Sequence, residues 1–214
     1  MLEYFCFAGA PLLSNGEQAD TPMFISPEEF IGTRSVAVRE EYLVALLRVA
    51  DAVSRFDCSP LTRLLYAKGF CDDLSCTRPL VLHFLRLLAV IAIHHDTLIP
   101  PYVCSKVLDK VWSTVLMFPT LYTSICSLFV SSGVIHFSPF SRRSHGGEIS
   151  AYNHIKSKYL VTFGRQPGAL FWPDEVSISS RRIFGDYPKP LRVEVSQISK
   201  LPDNPLTYLT MSSF

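Results

Sequence analysis

From about Val36 to Phe56 the apolar residues Leu43, Leu46, Leu47, Ala50 and Val53 recur every three or four positions, while Arg39, Glu40, Arg48, Asp51 and Arg55 fall largely off that stripe. One apolar face opposed to one charged face predicts an amphipathic helix. The preceding segment 1–33 is irregular, punctuated by Pro11, Gly16, Pro22, Pro27 and Gly32. Within it Ser26-Pro27-Glu28-Glu29 offers a serine cap and a proline at the first helical position, which predicts a single helical turn. Ser59-Pro60 predicts a further helix running to Ala67, with Gly69 to end it.

Thr77 reads as the cap of a helix over Leu80–His95, with Pro79 tolerated in its first turn. That stretch is apolar nearly all round, so it is expected at the centre of the molecule. Pro100-Pro101 predicts the start of the next helix, where Val103, Val107, Val111 and Val115 repeat every four residues beside Cys104, Leu108 and Trp112. Ser105, Lys106, Asp109, Lys110 and Ser113 take its other face. Pro119 ends that helix and opens a last one, which fades at Ser131-Ser132-Gly133.

Beyond this point the pattern changes. Residues 134–149 are rich in Ser, Pro, Arg, Gly and His and read as a linker. Short aromatic and β-branched runs come next: Tyr159–Phe163, Ala169–Trp172, Val176–Phe184 and Leu191–Val195. Gly, Pro or Asp separates them, which predicts a small antiparallel sheet. The expected fold is therefore α+β, mainly a helical bundle with a small β appendage toward the C-terminus. Its organisation is an irregular segment 1–33, a helical domain 34–133, a linker 134–149 and a β-rich region 150–214.

Composition supports a folded chain: 48% of the 214 residues are apolar and 18% charged. A mean hydropathy of +0.23 leaves apolar surface to spare for a partner or a membrane face. The net charge of +1 is unevenly spread. Residues 1–133 carry 10 Lys/Arg against 13 Asp/Glu, and residues 134–214 carry 10 against 6, giving −3 and +4. That asymmetry separates two regions without producing the dense basic stripe typical of nucleic-acid binders. The six cysteines sit mostly in apolar segments, as buried free thiols of a reducing compartment do. Met1-Leu-Glu-Tyr-Phe lacks the positive region of a secretory signal, and no apolar run reaches the ~20 residues that span a bilayer.

No enzyme motif is spelled out. The chain has no glycine-rich phosphate loop, no nucleophile elbow and no paired-histidine metalloprotease helix. Cys71 and Cys76 with His83 and His94-His95 lack the compact paired spacing of structural zinc sites, so no metal or cofactor is expected. His94-His95 reads as a cationic C-terminal pair favoured by the helix dipole. A hydrolase with partners distant in sequence stays open as a minor alternative, without a local signature.

The candidate segment is therefore Ile99-Pro100-Pro101-Tyr102-Val103 and, after fifteen intervening residues, Pro119. A proline pair fixes the backbone, so the residues after it are presented with little entropy left to lose on binding. Two readings are open: an internal helix–helix corner, or a helix offered to a partner's groove. The order Leu/Ile-Pro-x-x-Leu/Ile/Val…Pro resembles the minimal F-box of the RNA-silencing suppressors of poleroviruses and enamoviruses. Here Ile99 stands for the usual Leu, and Val103 for Leu or Ile. The apolar run from Val81 to Leu88 is similar to the helix preceding that box. Arg182-Ile183-Phe184-Gly185-Asp186 is similar to a basic-Ile-Tyr-Gly-acidic element near the family's C-terminus, although Tyr187 departs from its continuation.

The resemblance implies a protein without bond chemistry of its own, acting in the host cytoplasm. Ile99, Pro100, Pro101, Val103 and Pro119 would form the segment that binds the adaptor subunit of an SCF ubiquitin ligase. The rest of the chain would engage Argonaute and drive its degradation. Ile183, Phe184 and Gly185 would support the C-terminal fold. The alternative is an RNA-binding suppressor using the basic pairs Arg142-Arg143 and Arg181-Arg182 of the C-terminal region.

Overall fold

The computed structural model describes residues 21–74, 76–96, 98, 102–131, 133–136 and 145–173. Among them seven helices form: α1 (Pro27–Ile31), α2 (Glu40–Ser54), α3 (Ser59–Ala67), α4 (Thr77–Ile93), α5 (Lys106–Leu116), α6 (Pro119–Cys126) and α7 (His145–Phe163). Central in this arrangement is α4, which touches α2, α3, α5 and α7. Its residues from Phe84 to Ile91 are buried without a break. A helix apolar around its whole circumference is stable only when surrounded, as the sequence predicts for it. Each buried Leu or Phe contributes ~2 kcal/mol, so this helix carries much of the driving force for collapse.

The Ser26 hydroxyl caps α1 as expected, accepting from the Glu29 amide at 3.2 Å. Three other helix starts differ from their sequence signals. Helix α2 starts only at Glu40, and its buried stripe is Leu46, Val49, Ala50 and Val53. Leu47, expected on that stripe, is 48% exposed. Thr77 is the first residue of α4 rather than its cap, and its hydroxyl donates to the Leu74 carbonyl. Most consequential, α5 begins at Lys106 and not at Pro100-Pro101. Ser105 caps it, accepting from the Leu108 amide at 3.3 Å.

The expected β appendage requires correction. No strand occurs among the described residues, whose regular structure is helical, so the α+β expectation gives way to an α-helical fold. Tyr159–Phe163, read as a strand, is the end of α7. The physical reason lies in the residues before it. Tyr152, Ile155, Tyr159 and Phe163 fall on one helical face, and all four are buried. Burial along a 3.6-residue period outweighs the strand preference of aromatic and β-branched side chains. Ala169–Trp172, also read as a strand, is a turn in which the Phe171 and Trp172 amides both donate to the Gly168 carbonyl. Gly146-Gly147, placed in the linker by composition, belongs to the first turn of α7. The runs Val176–Phe184 and Leu191–Val195 lie outside the described residues.

Two ties fasten the N-terminal strap to the helices. Arg86, 4% exposed in the middle of α4, donates through Nε to the Phe30 carbonyl at 2.8 Å and through Nη2 to the Glu29 carbonyl. At the other tie α7 gives way to Gly164, whose φ of +65° lies in the left-handed region that a helix C-terminus favours. The Gly164 carbonyl then accepts the Ser35 and Val36 amides at 2.7 and 2.9 Å, with the Ser35 hydroxyl at 2.8 Å.

His94, at the end of α4, is not the exposed dipole-stabilised cation its position suggests. It is buried, its Nε2 lies 2.9 Å from the Thr162 hydroxyl, and its ring packs on Tyr42. Burial, then the nearby charges of Lys158 and His154, depress its pKa to about 4 from 6.5. The unfolded chain therefore takes up a proton that the fold refuses between those values. Stability is complete above pH 6.5 and falls as the pH drops toward 4, by about 2 kcal/mol after allowance for solvent screening. Buried His83 acts in the same direction. Urea midpoints at pH 7.5 and 4.5 should differ, and His94→Gln should flatten the slope. An unchanged slope in that variant would contradict this assignment.

Candidate functional site

Of the residues singled out by sequence, Val103 and Pro119 fall within the described chain. Ile99, Pro100 and Pro101 lie outside it, as do Arg182, Ile183, Phe184, Gly185 and Asp186. Val103 is buried at 8% exposure, together with Cys104 and Ser105 beside it. Pro119 is exposed and opens α6 at its first turn. The structure therefore does not present Val103 and Pro119 on a common outer surface.

Between them α5 has two unlike faces. Leu108, Val111, Trp112, Thr114 and Val115 are buried, and Trp112 meets Phe84 of α4 edge to face with centroids 6.5 Å apart. The Tyr102 ring lies parallel to Trp112, 9° between planes and 6.4 Å between centroids, and closes the corner before the helix. Trp112 Nε1 donates to the Tyr122 hydroxyl of α6 at 2.9 Å, and that hydroxyl donates to the Ile135 carbonyl. Burial raises the Tyr122 pKa, so the phenol stays protonated and remains able to donate. This chain of donors locks α5, α6 and the segment after α6 into one unit. A buried indole and phenol need such partners, which is why the two residues occur together.

The opposite face is open. Lys106 and Ser113 are exposed, and Lys110 leans over the Phe70 ring at 5.3 Å. Just past the helix, Met117 is 62% exposed, the highest value among the large apolar side chains described. It stands two residues before Pro119, so the turn between α5 and α6 carries an apolar knob on a fixed backbone. Sequence patterning does not single out Met117, because a methionine that ends an apolar helix reads as core.

Among the described residues nothing in the geometry builds a nucleophile. Cysteines 58, 71, 76, 104 and 126 are all buried and unpaired by disulfides. Desolvation pushes the Cys58 thiol up to about 12 and the Cys71 thiol up to about 11, so neither carries a thiolate at neutral pH. Cys71 donates weakly to the Cys76 carbonyl at 3.3 Å. Among the described residues no group of three His, Cys, Asp or Glu side chains is placed to hold a metal ion. A groove of about 450 Å³ lies between α7 and the turn after it, bordered by Asn153, Lys156, Ser157 and Gln166, without a cysteine or histidine in its wall. No described helix is long and apolar enough to cross a membrane.

No protein-family model, no curated protein and no solved structure matches this chain.

Proposed function

We propose that the protein is a non-catalytic recruiting module, a viral suppressor of RNA silencing that links an SCF ubiquitin ligase to Argonaute in the host cytoplasm. The observation that carries this reading is the proline-bounded segment 99–119, whose helix is locked from within while Met117 and Pro119 stand exposed at its end. A pre-organised backbone with an apolar knob is what a groove-type partner requires, because little conformational entropy remains to be lost. The resemblance of Ile99-Pro100-Pro101-Tyr102-Val103…Pro119 to the F-box-like suppressors supplies the identity of that partner.

Within this reading the roles divide. Ile99 and Pro100 are the contacts to the adaptor subunit, joined by Met117 and Pro119 at the far end. Val103, being buried, holds the corner from inside rather than touching the partner. The raised thiol pKa values leave Cys58 and Cys71 as core residues rather than nucleophiles.

Pro100→Ala is expected to abolish co-purification with the SCF adaptor from plant extract while leaving thermal unfolding nearly unchanged. Co-purification equal to that of the parent chain, together with retained silencing suppression, would overturn the reading. RNA affinity that falls steeply with salt, in place of adaptor binding, would favour the alternative suppressor mode.

A further inference from the structure

Among the described residues four buried side-chain nitrogens have no hydrogen-bond partner: His83 Nδ1, Arg165 Nε, Arg165 Nη2 and Trp172 Nε1. The arginine and tryptophan atoms can only donate, and the imidazole nitrogen donates in one of its two tautomers. They belong to residues of α4 and of the turn that follows α7. His83 stacks on Phe171, centroids 4.6 Å apart, and Trp172, next in the chain, packs on Tyr159 at 5.5 Å. Arg86 lies over the Phe163 ring at 5.6 Å, and both Arg86 and Arg165 act electrostatically on His83.

Acid is scarce in this seam. Besides the Tyr159 phenol, Glu29 is the acidic group that acts on Arg86, and its carboxylate forms an ion pair with Arg78 through Nε at 2.8 Å and through Nη2. Arg86 meets the Glu29 backbone carbonyl rather than its carboxylate, and its other partners are the Phe30 carbonyl and the Tyr159 phenol. Among the described residues neither guanidinium has a carboxylate of its own: Arg86 is held by backbone carbonyls, and Arg165 keeps two unpartnered donors. Native proteins seldom leave buried charge uncompensated, since each unpaired ion costs several kcal/mol.

We propose that this seam is a binding site for a small phosphate-type oxyanion, held between Arg165, Arg86 and His83 at the junction of α4 and α7. An acceptor-only, negatively charged ligand answers both the surplus of donors and the surplus of positive charge. The route in is short. Arg165 is half-buried, and its guanidinium lies directly over Gly32, where an added Cβ would collide with Nη2. In this proposal the anion enters as the Arg165 side chain turns outward, a movement that breaks no hydrogen bond at Nε or Nη2. Gly32 is itself partly exposed, which places the seam one side chain below the surface.

The test uses the full chain and inorganic phosphate. Calorimetric titration should give saturable one-to-one binding, accompanied by a rise in Tm that sodium chloride at equal ionic strength does not reproduce. Arg165→Gln should weaken binding at least tenfold, and Arg165→Lys, which keeps the charge but loses the fork, should weaken it less. If Arg165→Gln does not fold, the lysine variant and the parent titration decide. Vesicles of phosphatidylcholine with and without a phosphoinositide distinguish a lipid headgroup from free phosphate as the source. No saturable binding to the parent, or equal binding by parent and both variants, overturns the proposal. Neither outcome depends on adaptor recruitment, because the seam lies on α4 and α7 and not on segment 99–119.

Discussion

Trp112→Ala should lower the stability of the fold by about 4 kcal/mol, the cost of removing a fully buried aromatic from a core that can collapse only in part. The indole is 0% exposed, fills the space against Phe84 and Tyr102, and holds the Tyr122 hydroxyl through Nε1. Truncation therefore opens a cavity and removes one bond from the donor chain that ties α5 to α6 and to Ile135. Trp112→Phe keeps most of the volume and loses only the donor, so it should cost distinctly less. Chemical denaturation of the three proteins checks this directly. An alanine variant that unfolds at the parent's midpoint would show that α5 is not packed as described.

The second large effect is backbone rather than side chain. Gly164→Ala should destabilise by about 3 kcal/mol, from left-handed strain together with a steric conflict. At φ +65° an added Cβ would stand 2.6 Å from the Val36 carbonyl oxygen, and a backbone atom cannot move aside as a flexible side chain can. Relief requires the strap at Ser35 and Val36 to leave the carbonyl it now caps. Gly168→Ala is the control, since its Cβ would meet His83 at an ordinary 3.9 Å. Equal midpoints for Gly164→Ala and the parent would refute the tie.

What the sequence makes legible depends on what each residue reports on. Helices α2 and α3 announce themselves because their burial repeats every three or four positions, α4 because its apolar run is too long for a strand, and Ser26, Pro27 and Pro60 mark starts. The Pro100-Pro101 pair misleads, since the backbone is non-helical from Tyr102 through Ser105, whose hydroxyl makes a better cap than a proline that can only tolerate the first turn. Helix α7 is hidden for a different reason. Two glycines stand in its first turn, and its buried aromatics mimic a strand over any window shorter than the helix. Only the longer spacing from Tyr152 to Phe163 shows the helical period. The Arg86 anchor, the orphaned donors near Arg165 and the exposure of Met117 depend on contacts between distant segments, which local pattern does not encode.

The same division applies to the proposed recruiting segment. Its residue types can be read directly, but which of them face outward depends on α4 and α6 folding around α5. Burial of Val103 removes it from the proposed contact surface, while Met117 and Pro119 stand exposed. Within the proposed reading Pro100 is the discriminating position, because a proline fixes the backbone and so bears on how the segment is presented.

Titration of the purified chain with a purified SCF adaptor subunit is the most direct measurement of recruitment. Saturable binding by the parent and a loss of at least tenfold in Pro100→Ala, at unchanged unfolding midpoint, is the predicted result. Absence of binding by the parent, or identical affinity in the variant, would contradict it.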